Sequence, residues 1–113
     1  MELHIPENKL IEILTFLETI TTDKIITTKH FKSRNKKKHR NHIYQDTEIY
    51  KKLLTEEFPV EISLQRYEKI RIKYEHPYCD FYDYCIAFVI QNDKIILLTT
   101  FNTPIKRRIG DEI

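Results

Sequence analysis

The apolar positions of this chain follow two periods. From Pro6 to Ile20, the residues Leu10, Ile11, Ile13, Leu14, Phe16, Leu17 and Ile20 recur at helical spacing and predict an amphipathic helix. Pro6 suits the first turn, and Glu7 is favourable near the positive helix end. The Thr-rich stretch Thr19 to Thr28, interrupted by Lys24, Ile25 and Ile26, disfavours helix and reads as a connection carrying a short candidate edge strand. Thr28 is an N-cap candidate for a second helix beginning at Lys29, which would set His30, Arg34 and Lys38 at successive i, i+4 positions on one face. That segment has little apolar content beyond Phe31, so it must be exposed along most of its length. A third helix is expected from Asp46 or Thr47 to about Glu57, carrying Ile49, Tyr50, Leu53 and Leu54 and ended by Pro59.

Beyond Pro59 the period shortens to two. Val60, Ile62 and Leu64 alternate with polar residues, as do Ile70, Ile72 and Tyr74, which predicts half-exposed antiparallel strands. Asp83 to Ile90 and Lys94 to Phe101 are nearly continuous apolar runs joined by Gln91, Asn92 and Asp93, a polar link that fits a hairpin turn. The expected architecture is α+β: two or three N-terminal helices packed on a four-stranded antiparallel meander. Residues 60–101 form the sheet, residues 102–113 a basic tail, and no internal repeat appears.

At 113 residues the chain is long enough for one domain and too short for two ordinary ones. Apolar residues make up 41% and charged residues 32%, a composition that argues against global disorder. The longest uncharged apolar run, Tyr84 to Ile90, is far below the roughly 20 residues a membrane-spanning helix needs, and the N-terminus lacks a signal-peptide pattern. Cys79 and Cys85 form no disulfide framework and read as reduced thiols in a cytoplasmic protein. The single glycine, Gly110, rules out a glycine-rich phosphate loop or dinucleotide fingerprint, so no cofactor is expected.

The net charge of +2 conceals an asymmetry. Lys24 to His42 holds eight Lys or Arg and no acid, against eleven basic and seventeen acidic residues elsewhere, so one segment is +8 and the remainder −6. Concentrating one sign costs self-repulsion, which points to an anionic partner, most often a nucleic-acid backbone. A solvated basic loop with no task is the alternative that charge alone leaves open.

Three of the five histidines, His30, His39 and His42, lie in this segment. Cations surround them and no CxxC pair completes a ligand set, so no metal site is expected. For RNA cleavage the same surroundings are useful: an imidazole can move a proton while cations stabilise charge on phosphate oxygens, and the RNA 2′-hydroxyl is itself the nucleophile. His30 with Arg34 one turn on supplies a proton-transfer group beside a bidentate phosphate binder, against the plainer reading of His30 as a helix-surface residue. Lys29, Lys32, Lys36, Lys37, Lys38, His39 and Arg40 are the accompanying RNA-binding candidates, joined by Lys106, Arg107 and Arg108 of the tail. Thr99 and Thr100 point to opposite sheet faces, so one offers a hydroxyl at the surface, although Thr is also a routine strand residue. Tyr74 and His76, before Pro77, are candidates for base stacking or proton transfer, or for closing the core.

The order "IITTKHFKSR", a helix, "KIRIKYEHP", "DYCIAFVI" and "KIILLTTF" resembles the RelE-like toxins and the wider group of barnase-, EndoU- and colicin-type ribonucleases, over about residues 24–101. The resemblance implies an N-terminal helical portion on a four-stranded antiparallel sheet and metal-free RNA cleavage through a 2′,3′-cyclic phosphate. It carries over His30, Arg34 and Thr99 as catalytic residues, and implies an acidic antitoxin protein as partner. The Tyr or Arg found near the C-terminus in that group is represented here only by Phe101 and the Lys106 to Arg108 cluster.

Two expectations therefore stand: a metal-independent endoribonuclease of a toxin–antitoxin pair, and a non-enzymatic nucleic-acid-binding module using residues 24–42. A domain that docks acidic proteins through the basic helix is a third. Loss of one His abolishes turnover in the first, whereas loss of one cation weakens binding only modestly in the second.

Overall fold

The computed structural model describes residues 5–29, Phe31 and residues 49–108. The first helix, α1 (Glu7–Thr19), starts at Pro6, whose carbonyl accepts from the Leu10 N–H at 2.9 Å. It buries Ile13 and Leu17, with Ile20 just beyond its end; these positions lie four and three apart, the spacing of one helix face. Extended backbone at Ile20 stops the helix, and the Thr19 hydroxyl donates to the Phe16 carbonyl at 3.0 Å, satisfying one of the last orphan acceptors.

A 3-10 turn, Thr22–Lys24, leads to the two-residue strand β1 (Ile25–Ile26). Thr28 then acts as the expected cap: its Oγ1 accepts from the Phe31 N–H at 3.1 Å, and Lys29 and Phe31 are helical. The rest of the expected basic helix lies outside the described residues. The second described helix, α2 (Ile49–Glu56), buries Ile49, Tyr50, Leu53 and Leu54, the four apolar positions that predicted it. Phe31 is buried edge-on against Tyr50, ring centroids 5.4 Å apart.

Strands β2 (Glu61–Leu64), β3 (Ile70–Glu75), β4 (Tyr82–Gln91) and β5 (Lys94–Pro104) form the antiparallel meander. The sheet nevertheless has five strands, not four, in the order β1-β5-β4-β3-β2, and is mixed, because β1 pairs with β5 in parallel. Ile25 faces Ile95 and Ile26 faces Ile96. Two β-branched residues suffice here because Ile25 is also buried in the core. The β4–β5 turn is tight, with Asn92 and Asp93 both at positive φ (52° and 61°), the backbone a two-residue hairpin loop demands.

The helices cover one sheet face. Ile70, Ile72 and Tyr74 of β3, Tyr84, Ile86 and Phe88 of β4, and Ile95 and Leu97 of β5 join Ile13, Leu17, Phe31 and the α2 stripe in one core. The alternate residues, including Arg71, Lys73, Asp83, Cys85 and Thr99, line the opposite face. The register slips between Ala87 and Phe88: Ala87 pairs with Thr99 but Phe88 with Leu97, leaving Leu98 without a counterpart. This bulge reverses the alternation of β5, so Thr100 turns toward the helices and is buried while Thr99 joins the opposite face.

Candidate functional site

The sequence-predicted residues divide sharply. His30, Arg34, Lys32, Lys36, Lys37, Lys38, His39 and Arg40 lie outside the described residues. Lys29 is exposed at the helix start that Thr28 caps, and Lys106 is exposed in the 3-10 turn Ile105–Arg107. Arg107 closes that turn. Thr99 is half-buried on the face away from the helices. Arg108 is engaged: its guanidinium donates through Nε (2.6 Å) and Nη2 to the two carboxylate oxygens of Asp83, which is fully buried. This bidentate pair ties the chain after β5 to the start of β4, so Arg108 serves the fold first.

The polar sheet face is organised in rows by strand register. Glu61, Lys73, Cys85 and Phe101 form one row, with Lys73 Nζ 3.0 Å from Glu61 Oε1. Ser63, Arg71, Ala87 and Thr99 form the next. The Arg71 guanidinium stacks over the Phe101 ring, 5.1 Å from its centroid, a cation–π contact linking the two rows. Only Ala87, the smallest side chain of its row, separates Arg71 from Thr99. A cation, an aromatic ring and a hydroxyl thus share one small region.

A second cluster closes the end of the helix-covered face. Tyr74, Tyr84 and Asn102 face one another across β3, β4 and β5, and His76 packs edge-on against Tyr84 at 5.8 Å. His76 is the one histidine among the described residues, and only 8% of it is exposed. Its Nδ1 accepts from the Tyr78 N–H at 3.0 Å, so the neutral ring carries its proton on Nε2. Burial holds its pKa below the ordinary histidine value, opposed in part by the Asn102 side chain and the Asp83 charge. Burial, aided by the Glu57 carboxylate, pushes the Tyr74 hydroxyl upward, so it stays protonated. Tyr74 Oη is buried without a hydrogen-bond partner among the described residues, while the His76 ring and the Asn102 side chain lie close enough to act on each other.

His76 also borders a cleft of about 230 Å³ with Glu75, Cys79, Asp80, Asp83 and Arg108. With three carboxylates and its one arginine already bound to Asp83, this cleft repels phosphate. Among the described residues no group of three or more His, Cys, Asp or Glu is placed to hold a metal ion. Nor is any described helix long and apolar enough to cross a membrane.

Sequence reasoning named Tyr74 and His76 but not Tyr84 or Asn102. Their only signal is that each stands on the same face of its strand, at a register no local pattern reveals.

Residues 11–87, from α1 into β4 and including the whole basic segment, match the MJ0788 family, and the chain belongs to that family. No curated protein and no solved structure matches it.

Proposed function

We propose that this chain is a metal-independent endoribonuclease, the toxin of a toxin–antitoxin pair. The basic segment grips the RNA backbone, and His30, Arg34 and Thr99 act at the scissile phosphate. The observation that carries the reading is the parallel pairing of β1 with β5. A chain leaving Ile26 travels in the direction of β5, toward Thr99, just before the capped helix start that precedes His30 and Arg34. Phe31, within the cation-rich segment, is itself buried in the core, edge-on against Tyr50.

In this chemistry the RNA 2′-oxygen bonds to phosphorus as the P–O5′ bond breaks. One group takes the 2′-hydroxyl proton and another returns a proton to the departing 5′-oxygen. His30 moves a proton, Arg34 clamps the non-bridging oxygens, and the Thr99 hydroxyl steadies the phosphate with Arg71 nearby. An acidic antitoxin would silence the protein by neutralising the +8 segment.

The test is RNA cleavage with excess EDTA, comparing wild type with His30→Ala and reading the product ends. Cleavage leaving 2′,3′-cyclic phosphate, reduced about 10²- to 10⁴-fold in the variant with binding retained, is the expected result. Intact RNA with salt-sensitive binding, whose salt slope falls by about one for each lysine removed, would replace it with the non-catalytic nucleic-acid-binding module.

A further inference from the structure

Between the end of α2 and the end of β3 lies a cleft of about 450 Å³, bordered by Leu53, Glu57, Phe58, Val60, Tyr74 and His76. Two features of it are unexplained by folding. Tyr74, one of its lining residues, is only 1% exposed, and its buried hydroxyl has no hydrogen-bond partner among the described residues. A buried donor left in this state costs about 1–3 kcal/mol and calls for a partner supplied from outside. At the mouth, Phe58 is 78% exposed beside Pro59, and Val60 is exposed as well. A bare aromatic ring at the rim of a cleft is a stacking platform. Glu57, an acceptor-only carboxylate, lines the same cleft, and its charge bears on the Tyr74 hydroxyl.

We propose that this cleft is a nucleobase pocket: Phe58 stacks on the ring, Tyr74 donates to a ring carbonyl or nitrogen, and Glu57 accepts from a neighbouring N–H. Every nucleobase edge offers such an acceptor beside a donor, and the volume accommodates one base with room for its ribose. The phosphate stays outside, since the carboxylates of Glu57 and Glu75 both line the cleft and repel it. The inference rests on the RNA reading only for choosing a nucleotide as the ligand. It adds a site for an unstacked base distinct from the basic segment.

The experiment titrates the full chain with each of the four ribonucleoside 5′-monophosphates, and with ribose 5-phosphate as a base-free control, followed by amide chemical shifts. At least one nucleotide is expected to shift the resonances of Phe58, Tyr74 and His76 while ribose 5-phosphate leaves them unmoved. Phe58→Ala should weaken that binding about tenfold, and Tyr74→Phe about threefold to tenfold with the melting temperature unchanged or raised, because the deleted hydroxyl has no partner in the fold. Equal shifts from ribose 5-phosphate, no shifts from any nucleotide, or full affinity in both variants overturn the pocket. A clear fall in melting temperature for Tyr74→Phe overturns it too, since the hydroxyl would then be serving the core. RNA binding that persists without nucleotide shifts overturns the pocket alone. Nucleotide shifts without any RNA binding overturn the RNA reading and leave the pocket standing.

Discussion

The two faces of the sheet bury residues to similar depth by opposite means. On the helix side Ile72, Ile86, Phe88 and Ile95 are fully buried among other apolar side chains. On the other side Asp83 and Cys85 are fully buried and Lys73 nearly so, in a layer held by the Arg108–Asp83 and Lys73–Glu61 ion pairs and the Arg71–Phe101 stack. Apolar burial is non-directional and tolerates adjustment, whereas a buried charge is stable only while its partner stays in place. The first face therefore supplies most of the folding free energy. The second fixes positions, because each charge there holds its partner in place.

The largest effect should come from the helix side. Phe88→Ala removes a fully buried ring beneath the helices and should cost about 3–5 kcal/mol in denaturant unfolding. A loss below about 1 kcal/mol would break the comparison, because the helix-covered face would then not be the main core. On the polar face Arg108→Ala leaves the Asp83 carboxylate buried and unpaired. With the Arg108 side chain itself 21% exposed, the expected loss is smaller, about 2 kcal/mol by the same measurement. A neutral result would mean that solvent already compensates Asp83.

The smallest effect is a pH dependence at the seam between the faces. The folded-state pKa of His76 lies below its ordinary value of 6.5, so the unfolded chain takes up the proton more readily. Stability should be unaffected by this group above about pH 6.5 and fall as the pH drops below it. Melting curves between pH 7.5 and 5 should show that fall in wild type and less of it in His76→Gln. Identical slopes would remove His76 as the cause.

Much of the fold was legible before the structure. The spacing of Ile13, Leu17 and Ile20, the α2 stripe, the Thr28 cap and the Asn92–Asp93 turn are local devices whose physics acts within a few residues. The candidate site was less legible. Counting in twos from Ile95 puts Thr99 on the helix side with Leu97, and only the bulge at Leu98 carries it to the face of Arg71 and Lys73. Arg108 read as one cation of a tail, yet its partner Asp83 stands 25 residues earlier in the chain. Tyr74 and His76 could be named as candidates, but their meeting with Asn102 depends on two strand registers.

The sequence by itself determined α1, α2 and the four strands of the meander, and where the positive charge is concentrated, because periodicity, capping and turn chemistry are settled by near neighbours. The tertiary structure alone decided that Ile25 and Ile26 pair in parallel with β5 as a fifth strand, that Thr99 and Thr100 exchange faces, and that Tyr74, His76 and Asn102 gather at one end of the sheet. Those outcomes depend on pairing between distant parts of the chain, where burial on two faces at once selects one register and no short stretch of residues carries the choice.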